Sequence, residues 1–121
     1  IEPPELLVCV NINTSAWPLI EKSGRFGVNV LTLAQQQSAL QFAGVGQLNG
    51  DQRYSNANWT EHNGIWLLDE APAVFACEVS EIIIRHSHAL VLGSVQYVRC
   101  STDTNTQPML YWQGQFGTIK V

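Results

Sequence analysis

Two short apolar runs near the start of the chain most constrain what it can fold into. Leu6–Ile12 and Phe26–Leu31 are rich in valine and leucine and too short for typical helices. Runs of this kind are typical of buried β-strands. The first run passes directly into the polar sequence Asn-Ile-Asn-Thr-Ser at residues 11–15. A strand that ends there would present amide and hydroxyl groups along one rim of a sheet, where they could hold a polar ligand.

Helix signals lie between the two runs and immediately after the second. Ser15 is a suitable N-cap and Gly24 a suitable C-terminal stop, so the intervening segment predicts a short helical turn. The pattern then predicts an internal α-helix over Thr32–Gly44. Thr32 and Gln35 have the spacing of a capping box at its start.

The rest of the chain predicts mainly β-structure after a loop over residues 45–57. Asn63-Gly64 is typical of a two-residue hairpin turn, although the segment around it is ambiguous. Three further strands are predicted, namely Val74–Arg85, Ala89–Cys100 and Met109–Ile119, the last of which is interrupted by Gly114. Gly93 suggests a bulge or tight bend within one of them. Many strands with one internal helix favour a small closed β-barrel, because open apolar edges invite aggregation.

Length, charge and cysteine content exclude several classes of protein. A chain of 121 residues suits a single domain, residues 1–121. The net charge of −4 argues against a nucleic-acid partner, which needs a basic face. No apolar run approaches the roughly 20 residues of a membrane span. Cys9, Cys77 and Cys100 lack metal-site spacing, so we expect no metal. Because Cys9 and Cys77 lie in apolar runs, we expect buried free thiols and a cytoplasmic location.

A series of short motifs runs in order along almost the whole chain. They are Pro3–Asn11, Ser15 with Pro18–Ile20, Ser23–Leu31, Gln35-Gln36, Phe42–Gly44, Arg53-Tyr54, Trp59, Ala73–Val79, His88 with Leu90–Gly93, Leu110-Tyr111 and Gly114–Gly117. Their order and spacing resemble the short-chain flavin reductases. These are the reductase components of two-component flavin monooxygenases such as 4-hydroxyphenylacetate monooxygenase reductase.

The resemblance implies a fold, a reaction and partners. The fold is a split β-barrel that binds FMN, with FAD possible, usually as a homodimer. The reaction is hydride transfer from NADH or NADPH to the flavin, and a partner monooxygenase receives the reduced flavin. No catalytic side chain is implied, since the chemistry belongs to the flavin ring.

The resemblance also implies site residues. Flavin contacts are expected at Val10, Asn11, Asn13, Thr14, Ser15, Phe42, Arg53 and Tyr111, and a nicotinamide contact at His88. The ribityl chain and phosphate would be bound by Asn11, Asn13, Thr14 and Ser15, although Asn13 and Ser15 could simply cap the short helix. Phe42 could equally be a core anchor, and core packing is the stronger interpretation of Tyr111. Arg53 could equally be a solvated loop charge. His86 is a weaker alternative to His88. Asn29, a polar residue in an apolar run, needs backbone or ligand partners.

The chain departs from the family pattern in two places. A strand and turn rich in threonine, serine and alanine normally precede Pro3-Pro4, so we expect the first strands of the barrel to be missing. The basic pair near the last strand is replaced by Gln113 and Gln115, which weakens the case for NADPH. Two alternatives remain, namely an FMN-binding split barrel without turnover and an incomplete barrel that acts as an interaction module.

Overall fold

The computed structural model describes residues 2–42, 54, 57–103 and 105–119, and every structural statement below concerns that part of the chain. Its elements, in chain order, are β1 (Glu5–Asn11), α1 (Ala16–Ser23), β2 (Arg25–Val30), a 3₁₀ turn (Leu33–Gln35), α2 (Gln36–Phe42), β3 (Trp59–His62), β4 (Ile65–Leu68), β5 (Ala73–Arg85), β6 (His88–Cys100), β7 (Leu110–Trp112) and β8 (Gln115–Gly117). The mainly β prediction is confirmed, while the expected loop over residues 45–57 lies almost entirely outside the described residues. No helix in the described ranges is long and apolar enough to cross a membrane.

Four strands form one antiparallel sheet in the order β1-β6-β5-β2. The pairs β3–β4 and β7–β8 form two separate two-stranded sheets. The described strands are therefore split among three sheets, and the expectation of a closed barrel is wrong. β2 and β4 are neighbours, but side chains rather than a continuous ladder of backbone hydrogen bonds connect them.

The two apolar runs are edge strands rather than buried ones. β1 and β2 lie at opposite edges of the four-stranded sheet. Burial alternates along β1, where Leu7 is 62% exposed and Cys9 is exposed. The expectation that Cys9 is buried is wrong, since its side chain lies on the face of the sheet opposite the core. Cys77, on the central strand β5, is buried as expected.

Both predicted helix starts are present with different capping chemistry. Thr32 and Gln35 form the predicted capping box, in which the Thr32 N–H donates to Gln35 Oε1 at 2.9 Å. Ser15 occupies the N-cap position of α1, but its side chain makes no capping hydrogen bond. Gly24 ends α1 in the left-handed region, with a φ of 69°, and its N–H donates to the Ile20 carbonyl at 2.9 Å.

Two tight turns have the same construction. Asn63 and Gly64 both have positive φ, 51° and 83°, and join β3 to β4 as predicted. Gln113 and Gly114, with φ of 50° and 80°, turn the chain in the same way. The interruption predicted at Gly114 is a full chain reversal between β7 and β8, so Met109–Ile119 is not a single strand.

In the core on one face of the main sheet, the Phe26 ring packs directly against Gly93. This core contains Trp17 from α1, Phe26 from β2, and Cys77, Ala89 and Val91 from the central strands. A Cβ atom at Gly93 would meet the Phe26 ring and lie 2.9 Å from Cys77 Cβ. Only glycine leaves room for the aromatic ring. The expected irregularity lies on the neighbouring strand, where the β5 register shifts between Val79, the partner of Gly93, and Glu81.

Asn29 connects the main sheet to the β3–β4 hairpin. Its Oδ1 accepts a hydrogen bond from the Leu68 N–H at 2.8 Å, and its Nδ2 donates to the Trp66 carbonyl at 3.5 Å. Leu68 is only 2% exposed, so its N–H needs this partner. Of the two expected kinds of partner for Asn29, backbone groups or a ligand, the structure shows backbone groups.

Candidate functional site

Asn11 organises the turn between β1 and α1. Its Oδ1 accepts a hydrogen bond from the Asn13 N–H at 2.9 Å. Its carbonyl accepts from the Thr14 N–H at 3.1 Å and from the Thr14 hydroxyl at 2.7 Å. Within the described residues, no hydrogen bond involves the other amide atom, Asn11 Nδ2. The turn therefore holds a rigid amide donor next to the exposed side chains of Asn13 and Thr14.

His88 lies at the same rim as Asn11. The two residues form the last pair in the register of β1 with β6. The turn before His88 is tied to the rim, because the Ile12 N–H donates to the Ser87 carbonyl at 3.0 Å. Ser87 Oγ lies 2.8 Å from His88 Nδ1. His86 occupies the hairpin turn with a φ of 54°. The tertiary structure thus brings together the expected flavin turn and the expected nicotinamide contact.

A cavity of about 700 Å³ lies next to the end of the turn that follows β1. It lies between α1, β2, α2 and the β3–β4 hairpin, and Ser15 at the end of the turn is part of its lining. The described lining residues are Ser15, Ala16, Leu19, Ile20, Ser23, Arg25, Phe26, Gly27, Asn29, Leu31, Ser38, Ala39, Phe42, Tyr54, Trp59, Gly64, Ile65 and Trp66. Its volume is within the range of about 300–1,000 Å³ typical of small-molecule sites.

Four aromatic rings form one wall of the cavity. Phe42, Tyr54 and Trp59 contact one another with ring centroids 5.0–5.5 Å apart. Trp66 lies against Tyr54 at 5.9 Å. Phe42 and Trp66 remain partly exposed, at 38% and 45%. We call these four residues the aromatic wall.

The donor set fits a phosphorylated, flat ligand. The turn supplies an amide and hydroxyls, and the cavity supplies aromatic faces of the kind that stack on planar rings. Arg25 is the one charged side chain among the described lining residues, and its Nη1 donates to the Asn63 carbonyl at 2.8 Å. Among all the residues that the structure describes, no group of three or more His, Cys, Asp or Glu side chains is placed to hold a metal ion.

Comparison with known proteins assigns the family. The family model for the flavin reductase like domain matches residues 1–120. This chain belongs to the flavin reductase-like domain family. Its mainly β structure agrees with the split β-barrel that the resemblance implied.

Similar proteins share this flavin reductase-like domain over most of the chain. The reductase component of FADH(2)-dependent resorcinol hydroxylase from Rhizobium sp. (strain MTP-10005) is 36% identical over 117 residues, which are 96% of this chain and 63% of the relative. FMN reductase (NADH) RutF from Cronobacter sakazakii is 34% identical over 104 residues, 85% of this chain and 61% of the relative. The chain therefore spans somewhat less than two thirds of these relatives.

A solved structure agrees with the fold of this flavin reductase-like domain. A crystal structure from Haemophilus somnus 129pt, assigned as a flavin reductase, superposes with a TM-score of 0.87 at 30% identity. The match covers 97% of this chain and 73% of that chain.

The side chains of Val10 and Tyr111, two of the expected site residues, pack against other residues. Val10 packs against the core around Phe26, so only its backbone is available to a ligand. Tyr111 is 66% exposed on β7, packs against Phe116 at 5.1 Å, and is absent from the described lining of the cavity. Arg53 lies outside the described residues.

The sequence reasoning about this flavin reductase-like domain missed Ser87, Arg25 and Trp66. Ser87 lies in none of the family motifs, and Arg25 lies in the Ser23–Leu31 motif without being singled out there. Only folding places them at the rim and the cavity. Trp66 had a detectable signal, because it alternates with strongly apolar neighbours in a strand of four residues. A large aromatic side chain at the outward position of such a strand suggests a surface that meets something else.

Proposed function

We propose that this domain is a flavin reductase that transfers a hydride from NADH to a flavin, FMN or FAD. The observation that carries the proposal is the pairing of Asn11 with His88 at one rim, joined by the turn to Ser15, which lines the cavity. A reductase of this type must bind two flat ligands next to each other. Membership of the family supports the same reading.

The turn would hold the ribityl chain and phosphate of the flavin. Asn11 Nδ2 donates from a side chain that its own turn already orients, and Thr14 and Ser15 offer hydroxyls beside it. Phosphate groups also favour the N-terminus of a helix, and α1 begins at Ala16 directly after this turn. We propose these contacts, with Phe42 close to the flavin from the cavity side.

His88 would contact the nicotinamide. A hydrogen bond between Ser87 Oγ and His88 Nδ1 leaves Nε2 to meet a ligand. When bound, the flavin itself supplies the hydride-accepting chemistry, so the protein needs no acid–base pair of its own. The glutamines at positions 113 and 115 favour NADH over NADPH, since a 2′-phosphate would be recognised by cations.

The partners follow from the same reading. Reduced flavin would pass to a monooxygenase, and the name of one relative, the reductase component of an FADH(2)-dependent resorcinol hydroxylase, supports such a partner. We propose that two copies of the chain form a homodimer through the apolar outer face of β1, β6 and β5. That face carries Leu7, Cys9, Leu90, Leu92 and Ile83, of which Leu7 and Cys9 are exposed. A reducing cytoplasm would keep the exposed Cys9 and Cys100 as thiols.

Steady-state kinetics test the reaction and the role of His88 together. We expect NADH to be consumed only when FMN or FAD is added. His88→Ala should raise the KM for NADH several-fold more than it weakens flavin binding, while His86→Ala serves as the matched control and should change neither. Equal effects of His88→Ala on both ligands would place this residue outside the nicotinamide pocket. Flavin binding without NADH oxidation would favour a non-catalytic flavin carrier instead.

A further inference from the structure

The tip of the β3–β4 hairpin consists of two exposed residues, Asn63 and Gly64. Within the described part of the chain, no hydrogen bond involves the Asn63 side-chain amide, so this side chain is free to change rotamer. A Cβ atom at Gly64 would have no heavy atom within 4 Å. There is open space around Gly64, so reorientation of the peptide group between the two residues is not blocked there.

An asparagine followed by a glycine is chemically reactive. The backbone nitrogen of the glycine can attack the asparagine Cγ, because glycine has no side chain to hinder the approach. A C–N bond forms, and the side-chain NH₂ group leaves with the proton of the backbone nitrogen as ammonia. Water then opens the resulting cyclic succinimide at either carbonyl, which gives aspartate or isoaspartate. The attacking nitrogen reacts in its deprotonated form, so whatever stabilises that form speeds the reaction.

Arg25 is placed to stabilise the deprotonated peptide group. Its Nη1 donates to the Asn63 carbonyl oxygen at 2.8 Å, and this oxygen belongs to the same peptide group as the Gly64 nitrogen. When that nitrogen loses its proton, peptide resonance places negative charge on the carbonyl oxygen. A guanidinium that donates to an oxygen where negative charge develops stabilises that charge, as the donors of an oxyanion hole do.

We propose that Asn63 is a site of spontaneous deamidation and that Arg25 accelerates the reaction. The product would affect the cavity, because Gly64 and Arg25 both line it. Isoaspartate adds an atom to the main chain within a turn whose flanking residues, His62 and Ile65, are paired. It would therefore disturb the register of the hairpin. Either product adds a negative charge next to Arg25.

Incubation of the purified chain at mildly alkaline pH, followed by peptide mapping with mass spectrometry, tests the proposal. Labelling by an isoaspartyl methyltransferase detects isoaspartate independently. The variants are Arg25→Met, Arg25→Lys and Arg85→Met. Arg85 is the matched control, since its Nη1 donates to the Ile84 carbonyl at 3.1 Å and so contacts a different peptide group. Circular dichroism confirms that each variant is folded, and Arg25→Lys provides the comparison if the methionine variant is unstable. Each protein is also incubated unfolded in urea.

We expect the folded chain to convert Asn63, with a rate that is several-fold lower in Arg25→Met, intermediate in Arg25→Lys and unchanged in Arg85→Met. In urea, all the proteins should convert Asn63 at the same rate, because unfolding removes the contact with Arg25. Conversion in urea without conversion in the folded chain would overturn the site, since the turn would then protect Asn63. Equal or faster conversion in the folded Arg25 variants would overturn the role of Arg25.

Discussion

At the scale of single residues, the Asn11 side chain stabilises a turn with one amide atom and could bind a ligand with the other. Its Oδ1 shapes the turn by accepting the Asn13 N–H, and its Nδ2 makes no hydrogen bond within the described residues. A side chain that is fixed at one atom and available at the other is pre-organised for a ligand, because its rotamer entropy has already been lost. Asn11 is therefore the residue at which turn structure and the proposed flavin contact can be separated by mutation.

Two substitutions at Asn11 make this separation. Asn11→Asp keeps an oxygen that accepts the Asn13 N–H but replaces the amide NH₂ group with a negatively charged oxygen. We expect near-normal stability and flavin binding weakened by about 1–3 kcal/mol, since a donor to phosphate or carbonyl is lost. Asn11→Leu should lose both stability and affinity. Fluorescence titration with FMN, alongside thermal unfolding, measures the two effects, and unchanged FMN affinity in Asn11→Asp would remove Asn11 from the site.

At the scale of elements, one side chain replaces a missing backbone ladder. β2 and β4 belong to different sheets, and Asn29 supplies the hydrogen bond to the Leu68 N–H that a neighbouring strand would otherwise supply. This contact positions the β3–β4 hairpin and hence two rings of the aromatic wall, Trp59 and Trp66. The shape of the cavity therefore depends on a polar residue in the middle of an apolar strand.

We expect Asn29→Leu to destabilise the protein although it adds apolar surface. It leaves the buried Leu68 N–H unpaired, which costs about 1–3 kcal/mol. Urea unfolding measures the change in the free energy of unfolding, and Asn105→Leu, at an exposed position, is the control that should change it little. A stability equal to that of the unsubstituted protein would show that Asn29 is not needed to hold the hairpin.

At the scale of the whole molecule, the main sheet has one face in the core and one without a described cover. Trp17, Phe26 and Val91 pack on the first face. On the second, Leu7 stands opposite Leu92 in the register of β1 with β6. Exposed apolar side chains in neighbouring positions on a sheet commonly mark a protein–protein contact. The proposed homodimer would bury them.

A single charge should disrupt that contact. We expect light scattering coupled to size-exclusion chromatography to give a dimer for the unsubstituted chain and a monomer for Leu7→Glu, because an unpaired carboxylate would be buried in the interface. Ile119→Glu, an equally drastic change at an exposed site outside the sheet, should leave the dimer unaffected. Dissociation in both variants, or a monomer from the start, would contradict this interface.

Much of this fold was accessible from local sequence patterns. The strand composition of β5 and β6, the capping box of Thr32 with Gln35 and the Asn63-Gly64 turn were predicted correctly, since each depends on residues close together in the chain. The failures have a common origin. Whether β1 is central or at an edge, whether Cys9 is covered, and whether the barrel closes all depend on which strands become neighbours.

For the site, the chain by itself determined which residues could bind. The polar turn after β1, the order of the family motifs and the family itself were predicted from the printed residues. Only the tertiary structure decided which of them meet. The β1–β6 register places His88 against Asn11 across many intervening residues, and the Asn29 contact brings Trp66 to the cavity. Local patterns encode backbone preference. Contacts between residues distant in sequence depend instead on long-range packing, to which residues from every part of the chain contribute.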